Sequence, residues 1–495
     1  MIDTGWKPLL PHTTTGVRKW FRRFLFALER NCPKIRQKPI TLMKAPLSRR
    51  KFLAASAAAT AFQIVPRHVI AGSGQTPPSE KLNIAGIGVG GMGASNLRKC
   101  KEENIVALCD VDHDYAASTY EAYPKAKIYT DYREMFDKQK DIDAVIIATP
   151  DHTHAVITMQ TMEAGKHVFC QKPLTHTVHE ARAITEAARH YGVQTQMGNQ
   201  GHSSEYIRLL KEWIDDGAIG DVREVHAWTD RPVGGQVWST FAVKAKSLER
   251  PAIPASLNWD LWLGPAQYRH YHPDYHPKTW RAWIDFGTGP LGDMGCHILD
   301  PAFWALDLGA PEMINASTTH WEEDVSSQTF PRASIVRYQF PARGKKPPVK
   351  LTWYDGRLLP PRPEELEPDR ELPKSGAIIV GDKGKMLHGS HGAGSLRIIP
   401  EERMKAYQRP AKTIPRVKGS HEDDWIRACK EGSDGTPASS NFEYGGALTE
   451  MVLLGMAAIQ MKDQNLRWDT KNLRFTNNED ANALINPPYR EGWTL

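Results

Sequence analysis

The 495-residue sequence predicts an α/β protein in two parts: a doubly wound parallel sheet, then a mostly antiparallel sheet carrying helices. Three observations predict it. An apolar run, Leu82 to Ile87, leads directly into glycines at 88, 90 and 93. Four further short apolar runs alternate with helical patterns up to residue 200. Beyond Gly201 the runs alternate apolar with polar residues, as half-buried strands do.

The first run and its glycines have the form of a dinucleotide fingerprint. Gly88 permits the tight turn out of the strand, Gly90 lets backbone amides approach a pyrophosphate, and Gly93 lets the next helix pack on the strand. Gly91 and Met92 complete the loop, and the phosphates belong on the helix N-terminus. A glycine-rich turn alone is weak evidence. Here the next apolar run, Ile105 to Cys109, ends in Asp110, about 20 residues on, where a ribose-binding acid is expected. That carboxylate can accept from both ribose hydroxyls and would repel a 2′-phosphate, and Val111-Asp112-His113 offers no arginine to receive one. The expected cofactor is therefore NAD, with NADP disfavoured.

Taken in order, the chain reads as a leader over 1–71, a short Gly/Ser/Pro linker, a Rossmann domain over 81–200 and a second domain over 201–495. Helical patterns near His113 to Tyr123 and Tyr132 to Asp137 precede the buried strand Asp143 to Ala148. A helix to Ala164, a strand His167 to Cys170, a helix Thr177 to Tyr191 and a strand Gln194 to Met197 complete the first sheet. The second domain opens with a helix near Ser203 to Asp216. Strands follow at Val222 to Thr229, Ile335 to Phe340, Val349 to Tyr354 and Ala377 to Val380, and helices at His421 to Glu431 and Gly446 to Gln460. There is no internal repeat.

The formal charge of +6 is concentrated in the leader. Residues 1–51 carry thirteen Lys/Arg against two Asp/Glu, so the remainder is net acidic and nucleic acid is not an expected partner. Ser48-Arg49-Arg50-Lys51-Phe52-Leu53, the Ala-rich run Ala54 to Val65 and Val69-Ile70-Ala71 have the regions of a twin-arginine signal peptide. The apolar run is far short of the ~20 residues a spanning helix needs, so no permanent membrane anchor is expected. Signals of this kind begin near the arginines, which favours Met43 as the start. The six cysteines, at 32, 100, 109, 170, 296 and 429, show no paired spacing and read mostly as buried thiols. Export of folded protein suits a chain that takes up its nucleotide before leaving the cytoplasm, so the NAD is expected to be tightly bound.

Three stretches at first-domain strand ends face the expected nicotinamide region: Thr149-Pro150-Asp151-His152-Thr153-His154, Cys170-Gln171-Lys172-Pro173, and Gly198-Asn199-Gln200-Gly201-His202. Lys172, held extended before a proline, either points into the crevice or is an exposed loop lysine. In the run Gly289 to Asp300, Asp293 and His297 share a face if it is helical. Such a pair could orient a hydroxyl and take its proton, or could be a capping carboxylate and a satisfied histidine. A metal pair lacks a matching ligand set. Fifteen tryptophans, among them Trp280, Trp283 and Trp353, offer faces for sugar stacking, though most are simply core.

Together the fingerprint, Asp110, the Thr149-Pro150 loop, Lys172-Pro173 and Gly289 to Asp300 resemble the glucose–fructose oxidoreductase, inositol dehydrogenase and rhizopine-catabolism (Gfo/Idh/MocA) family, from Lys81 to the C-terminus. The resemblance implies NAD(P)-linked oxidation or reduction of sugars, sugar acids or cyclitols, and an open second-domain sheet that often mediates homo-oligomers. It implies that Lys172, Asp293 and His297 form the catalytic group. Thr149, Pro150, His152 and His154 would lie by the cofactor, and Asn199, His202, Trp280, Arg281 and Tyr354 by the carbohydrate. The family's usual Glu-Lys-Pro is here Gln171-Lys172-Pro173, which removes a charge that could hold the lysine protonated. One branch of the family resembles NAD-dependent glycosidases that oxidise, eliminate and reduce again, and these residues fit either outcome. A non-catalytic nucleotide- and sugar-binding protein is a third reading.

The leader implies export to the periplasm or beyond. Changing Arg49 and Arg50 together to Lys is expected to trap the protein in the cytoplasm, which fractionation and immunoblotting will show; unaltered secretion would remove the signal assignment.

Overall fold

The computed structural model describes residues 80–232, 250–319 and 328–495. The leader, with its arginine pair and Cys32, lies outside the described residues. The five described cysteines are buried and unpaired, as their spacing implied.

The first sheet contains β1 (Asn83–Ile87), β2 (Asn104–Cys109), β3 (Lys127–Tyr129), β4 (Ala144–Ile147), β5 (His167–Cys170) and β6 (Thr195–Met197). Their order is β3-β2-β1-β4-β5-β6, and every neighbouring pair is parallel. All four residues of β4 are buried, which is why it reads as an unbroken apolar run. β3 has no such run because it is a short edge strand with two of its three residues exposed. The strand order reverses between β1 and β4, so a crevice opens at their carboxyl ends. The sequence places the glycine loop and the Thr149-Pro150 loop there.

The second sheet has nine strands: β7 (Val222–Trp228), β8 (Met313–Thr318), β9 (Ser334–Phe340), β10 (Val349–Tyr354), β11 (Gly376–Gly381), β12 (Gly384–Gly389), β13 (Arg397–Ile399), β14 (Leu466–Asp469) and β15 (Arg474–Phe475). They run in the order β13-β12-β11-β7-β10-β9-β8-β14-β15, antiparallel except for the pair β7/β10. β9 alternates buried and half-buried residues along its whole length, the period-two pattern that identified it. β8 and β12 to β15 escaped prediction. β12 is framed by glycines and interrupted by polar residues, and β13, β14 and β15 are too short for a period to register.

Helix Phe442–Gln460 is long and apolar enough to cross a membrane, but it lies 83% buried against β8, β9 and helix Val178–Tyr191. Helix Gly289–Ile298 is buried at all ten positions, with a proline in its first turn where the missing N–H costs nothing. Helix His421–Glu431, distant in sequence, returns to the first domain. Its Glu422 is fully buried and accepts from Asn96 Nδ2 (2.7 Å) and Lys99 Nζ (3.1 Å) on the fingerprint helix Met92–Lys99. Trp425 of the same helix packs edge-on to Phe169 of β5.

Replacing Glu422 by Ala leaves Asn96 Nδ2 buried without its acceptor and should lower stability by about 1.5–3 kcal/mol, the range for a hydrogen bond to a charged group. Denaturant titration against the parent measures this, and a loss under 0.5 kcal/mol, roughly that of an ordinary surface substitution, would contradict the role given to Glu422.

Candidate active site

A cleft of about 690 Å³ runs from the glycine loop to helix Gly289–Ile298. At its dinucleotide end Gly88 has φ +77°, and a Cβ there would lie 2.7 Å from Thr149 N. At Gly93 a Cβ would meet Gly88 O at 2.1 Å, so the helix sits against the end of the strand only because residue 93 has no side chain. Gly91 caps helix Met92–Lys99 without any side-chain hydrogen bond, leaving the first-turn amides to a ligand. Gly88, Gly90, Gly91 and Met92 all line the cleft. These residues fit a dinucleotide. Asp110 does so differently from expectation. Its carboxylate already accepts from Val89 N (2.7 Å), Gly90 N (3.1 Å) and Asp112 N (3.0 Å), so of about four lone-pair positions one is left for a ribose hydroxyl rather than two. Burial raises its pKa, and the same amides oppose the rise.

At the other end β5 delivers Lys172 and the buried helix delivers Asp293 and His297. Lys172 Nζ donates to Asp293 Oδ1 and to the Asp293 carbonyl oxygen, both at 2.7 Å, with the lysine side chain 12% and the aspartate 7% exposed. Arg231 Nη1 pairs with Asp293 Oδ2, and Arg281 Nε lies 3.7 Å from Oδ1. Burial alone would raise the Asp293 pKa, but Lys172, Arg281 and Arg231 hold it well below the usual carboxylate range. Asp293 and His297 share a helix face, as their spacing implied, but both carboxylate oxygens of Asp293 serve cations and neither bonds the imidazole. His297 Nδ1 is buried with no partner among the described residues. Burial, then the charge of Lys172, push its pKa well below that of free histidine, so the ring is neutral.

Gln171 lines the cleft but turns from Lys172 toward the fingerprint helix, donating to Asn96 Oδ1 at 3.0 Å. The carboxylate absent from the Gln-Lys-Pro turn is supplied to the lysine by Asp293.

Thr149, Pro150 and His154 line the cleft, as do Trp280 and Arg281, whose guanidinium stacks 4.1 Å over the Trp280 ring. Four expected residues stand elsewhere. His152 is 2% exposed, with its ring nitrogens on the carbonyls of Phe286 (3.2 Å) and Trp262 (3.0 Å). Asn199 is buried and accepts from Ser440 Oγ at 2.7 Å. His202 is buried against Asp300 Oδ1 at 2.8 Å. Tyr354 contacts His226 Nδ1 (3.1 Å) on the second sheet. In each case the polar side chain makes an internal hydrogen bond instead of facing the cleft, and Asn199 Nδ2 is buried with no partner among the described residues. Arg231, Tyr115 and His391 line the cleft and were not foreseen. Only His391 had a signal, the glycine-framed turn Gly389-Ser390-His391-Gly392.

Residues 82–199 match the model described as "Oxidoreductase family, NAD-binding Rossmann fold", and residues 204–339 match "Oxidoreductase family, C-terminal alpha/beta domain", together just over half of the chain. Among curated proteins the chain is similar to an inositol 2-dehydrogenase of Serratia proteamaculans, 30% identical over 32% of this chain and 49% of that one. It is also similar to a levoglucosan dehydrogenase of Pseudarthrobacter phenanthrenivorans, 27% identical over 43% of this chain and 45% of that one. The chain thus spans about half the length of these curated relatives. An inositol dehydrogenase homologue from Azotobacter vinelandii, solved with NADH and myo-inositol, shares the fold at TM-score 0.52 and 16% identity, over 78% of this chain and 98% of that one.

His154 is caged between two acceptors, with Nδ1 2.8 Å from Pro173 O and Nε2 2.9 Å from Thr149 O. Both nitrogens can bond only if both carry protons. Burial opposes that charge, yet Cys170, Asp151 and the Pro173 carbonyl lift the pKa from 6.5 to about 9. His152 faces two carbonyls at longer range, beside His176, and burial pushes it to about 3. Because the folded value of His154 is raised, its stabilisation is complete below pH 6.5 and is lost as pH rises through about 9. The melting-temperature gap between the parent and His154→Gln should therefore be widest near pH 6 and close above pH 9; a gap constant across that window contradicts the cationic ring.

Proposed function

We propose that this chain, which belongs to the Gfo/Idh/MocA oxidoreductase family, oxidises a hydroxyl of a sugar, glycoside or polyol using NAD. The observation that carries this is Lys172, Asp293 and His297 on the wall of one cleft whose far end is the glycine loop. The curated dehydrogenases of inositol and levoglucosan to which it is similar support the substrate class.

The Gly88 to Gly93 turn and the helix N-terminus would hold the pyrophosphate, Asp110 a ribose hydroxyl, and Thr149 and Pro150 would border the nicotinamide. When bound, NAD supplies the ring that accepts hydride from the substrate carbon. The chain's own residues manage the proton and the charge. Lys172 has three N–H donors, two of them committed to Asp293, so the third remains for the substrate oxygen. Its ammonium stabilises the negative charge that develops there. His297 is neutral, has a lone pair to offer and receives the hydroxyl proton. Asp293 keeps Lys172 in place. Trp280, with Arg281 stacked on it, offers a face to the sugar.

Export through the leader is part of the same reading, supported by Arg49-Arg50 ahead of the short apolar run. So is a homo-oligomer through the second sheet, supported by half-buried Met313 and Asn315 on β8 beside Ile335 and Arg337 on β9.

Heat-released supernatant should contain NAD and no NADP. Pre-steady-state reduction of the bound cofactor by the best substrate in a sugar, glycoside and polyol panel should fall by about 10²- to 10⁴-fold in His297→Ala, and comparably in Lys172→Ala, with the cofactor retained. Keto-sugar and released aglycone are scored together, so that redox-neutral glycoside cleavage is recognised. Parent rates in both variants would displace the chemistry from this site. A parent that reduces nothing would favour a binding protein.

A further inference from the structure

The loop joining β12 to β13 is held in a costly conformation. Gly392, Ala393 and Ser395 have φ of +57°, +57° and +58°, a region that alanine and serine adopt only when their surroundings impose it. Ala393 is fully buried. Gly389 N–H donates to Gly394 O (2.7 Å), and Gly394 N–H to His391 O (3.2 Å), closing the turn. The loop lies directly on the turn that follows β6: a Cβ on Gly201 would be 2.4 Å from Gly392 N, and one on Gly392 2.1 Å from Gly201 O. Strain of this kind persists where it positions something. What it positions is His391, whose ring centroid is 4.2 Å from that of His297 at an interplanar angle of 32°. His391 lines the same cleft as Lys172 and Asp293, and Ser390 Oγ is 2.8 Å from its Nδ1.

His297 needs such a neighbour. Its side chain is 5% exposed and its Nδ1 has no partner among the described residues, yet a ring that takes a proton must release it before the next turnover. Of the charged groups facing it, Lys172 and Arg231 are bound to Asp293, and that carboxylate is committed to them. His391 is the titratable neighbour that opens onto the cleft.

Resting on the oxidoreductase reading, we propose that His391 is a further catalytic residue, one that contacts the substrate and carries the proton taken by His297 out to solvent. The substrate O–H bond breaks and its proton joins His297; the C–H electron pair leaves in the oxidation already described and the carbon–oxygen double bond forms. The proton then passes through a bridging water or sugar hydroxyl to His391 and into bulk water, and both imidazoles end the cycle neutral. Burial, then the charge of Lys172, favour the neutral form of each ring; His391 adds to this at His297, Arg231 adds to it at both, and Asp293 opposes it at both. The buried site therefore does not hold a proton placed on His297, and His391 leads it outward.

Two variants of the NAD-loaded protein test this: His391→Phe, which keeps an aromatic ring against His297, and His391→Gln. Both are checked for melting temperature and retained NAD. With the panel substrate that the parent oxidises fastest, NADH formation in dilute buffer should fall by roughly tenfold or more and recover on adding imidazole, which a merely structural defect would not do. Independently of turnover, diethyl pyrocarbonate mapped by mass spectrometry should modify His391 in the parent before His297, and that substrate should protect His391. Parent rates in dilute buffer, a loss that imidazole leaves unrepaired, or an unprotected His391 would each overturn the proposal while leaving the oxidoreductase reading intact. If one substitution unfolds the protein, the other variant and the protection map decide. A parent that reduces no cofactor with any substrate overturns the oxidoreductase reading and this proposal together.

Discussion

The Lys172–Asp293 ion pair is the contact on which the site depends. It joins the end of a first-sheet strand to a helix buried at every position, and so links the half that holds the dinucleotide to the half that shapes the rest of the cleft. A buried ion pair contributes little net stability, because desolvation offsets attraction. Its worth here is geometric. Two of the lysine's donors are fixed by one aspartate, through side chain and backbone, which leaves the third with a defined direction. With Lys172, Arg281 and Arg231 around the same carboxylate Asp293 stays ionised, and burial, then the charge of Lys172, keeps the neighbouring histidines neutral.

That arrangement accounts for the departure at Gln171. An acid there would stand next to Asn96, whose amide already donates to fully buried Glu422. A second carboxylate in that chain would compete for the same amide and repel Glu422 across a region of low dielectric. A neutral amide can instead donate to Asn96 Oδ1 and pass the polarity of the chain along. The lysine's carboxylate partner comes from the second domain, and helix His421–Glu431 becomes part of the dinucleotide support.

The loop bearing His391 shows the same economy of position. It lies on the turn after β6 at a separation that two facing glycines allow, and its left-handed alanine is locked by burial. The turn after β6 and the loop after β12 together place one imidazole over His297.

The sequence by itself determined the first sheet apart from its edge strand β3, the fingerprint, and the shared helix face of Asp293 and His297. These rest on local rules: an apolar period, glycines with no tolerance for a Cβ, and i, i+4 spacing on a helix. Grouping Lys172 with that helix came from the family resemblance, and the structure brings the two together through the Lys172–Asp293 contact. The tertiary structure alone decided which polar side chains face ligand. His152, Asn199 and His202 sit on loops at the correct sheet ends, yet each bonds internally to groups far away in sequence, at Phe286 and Trp262, at Ser440, and at Asp300. Arg231 and His391 reach the cleft by folds of the second domain that no local pattern encodes. A hydrogen bond is satisfied in three dimensions, and sequence spacing reports only the donors and acceptors a residue could offer.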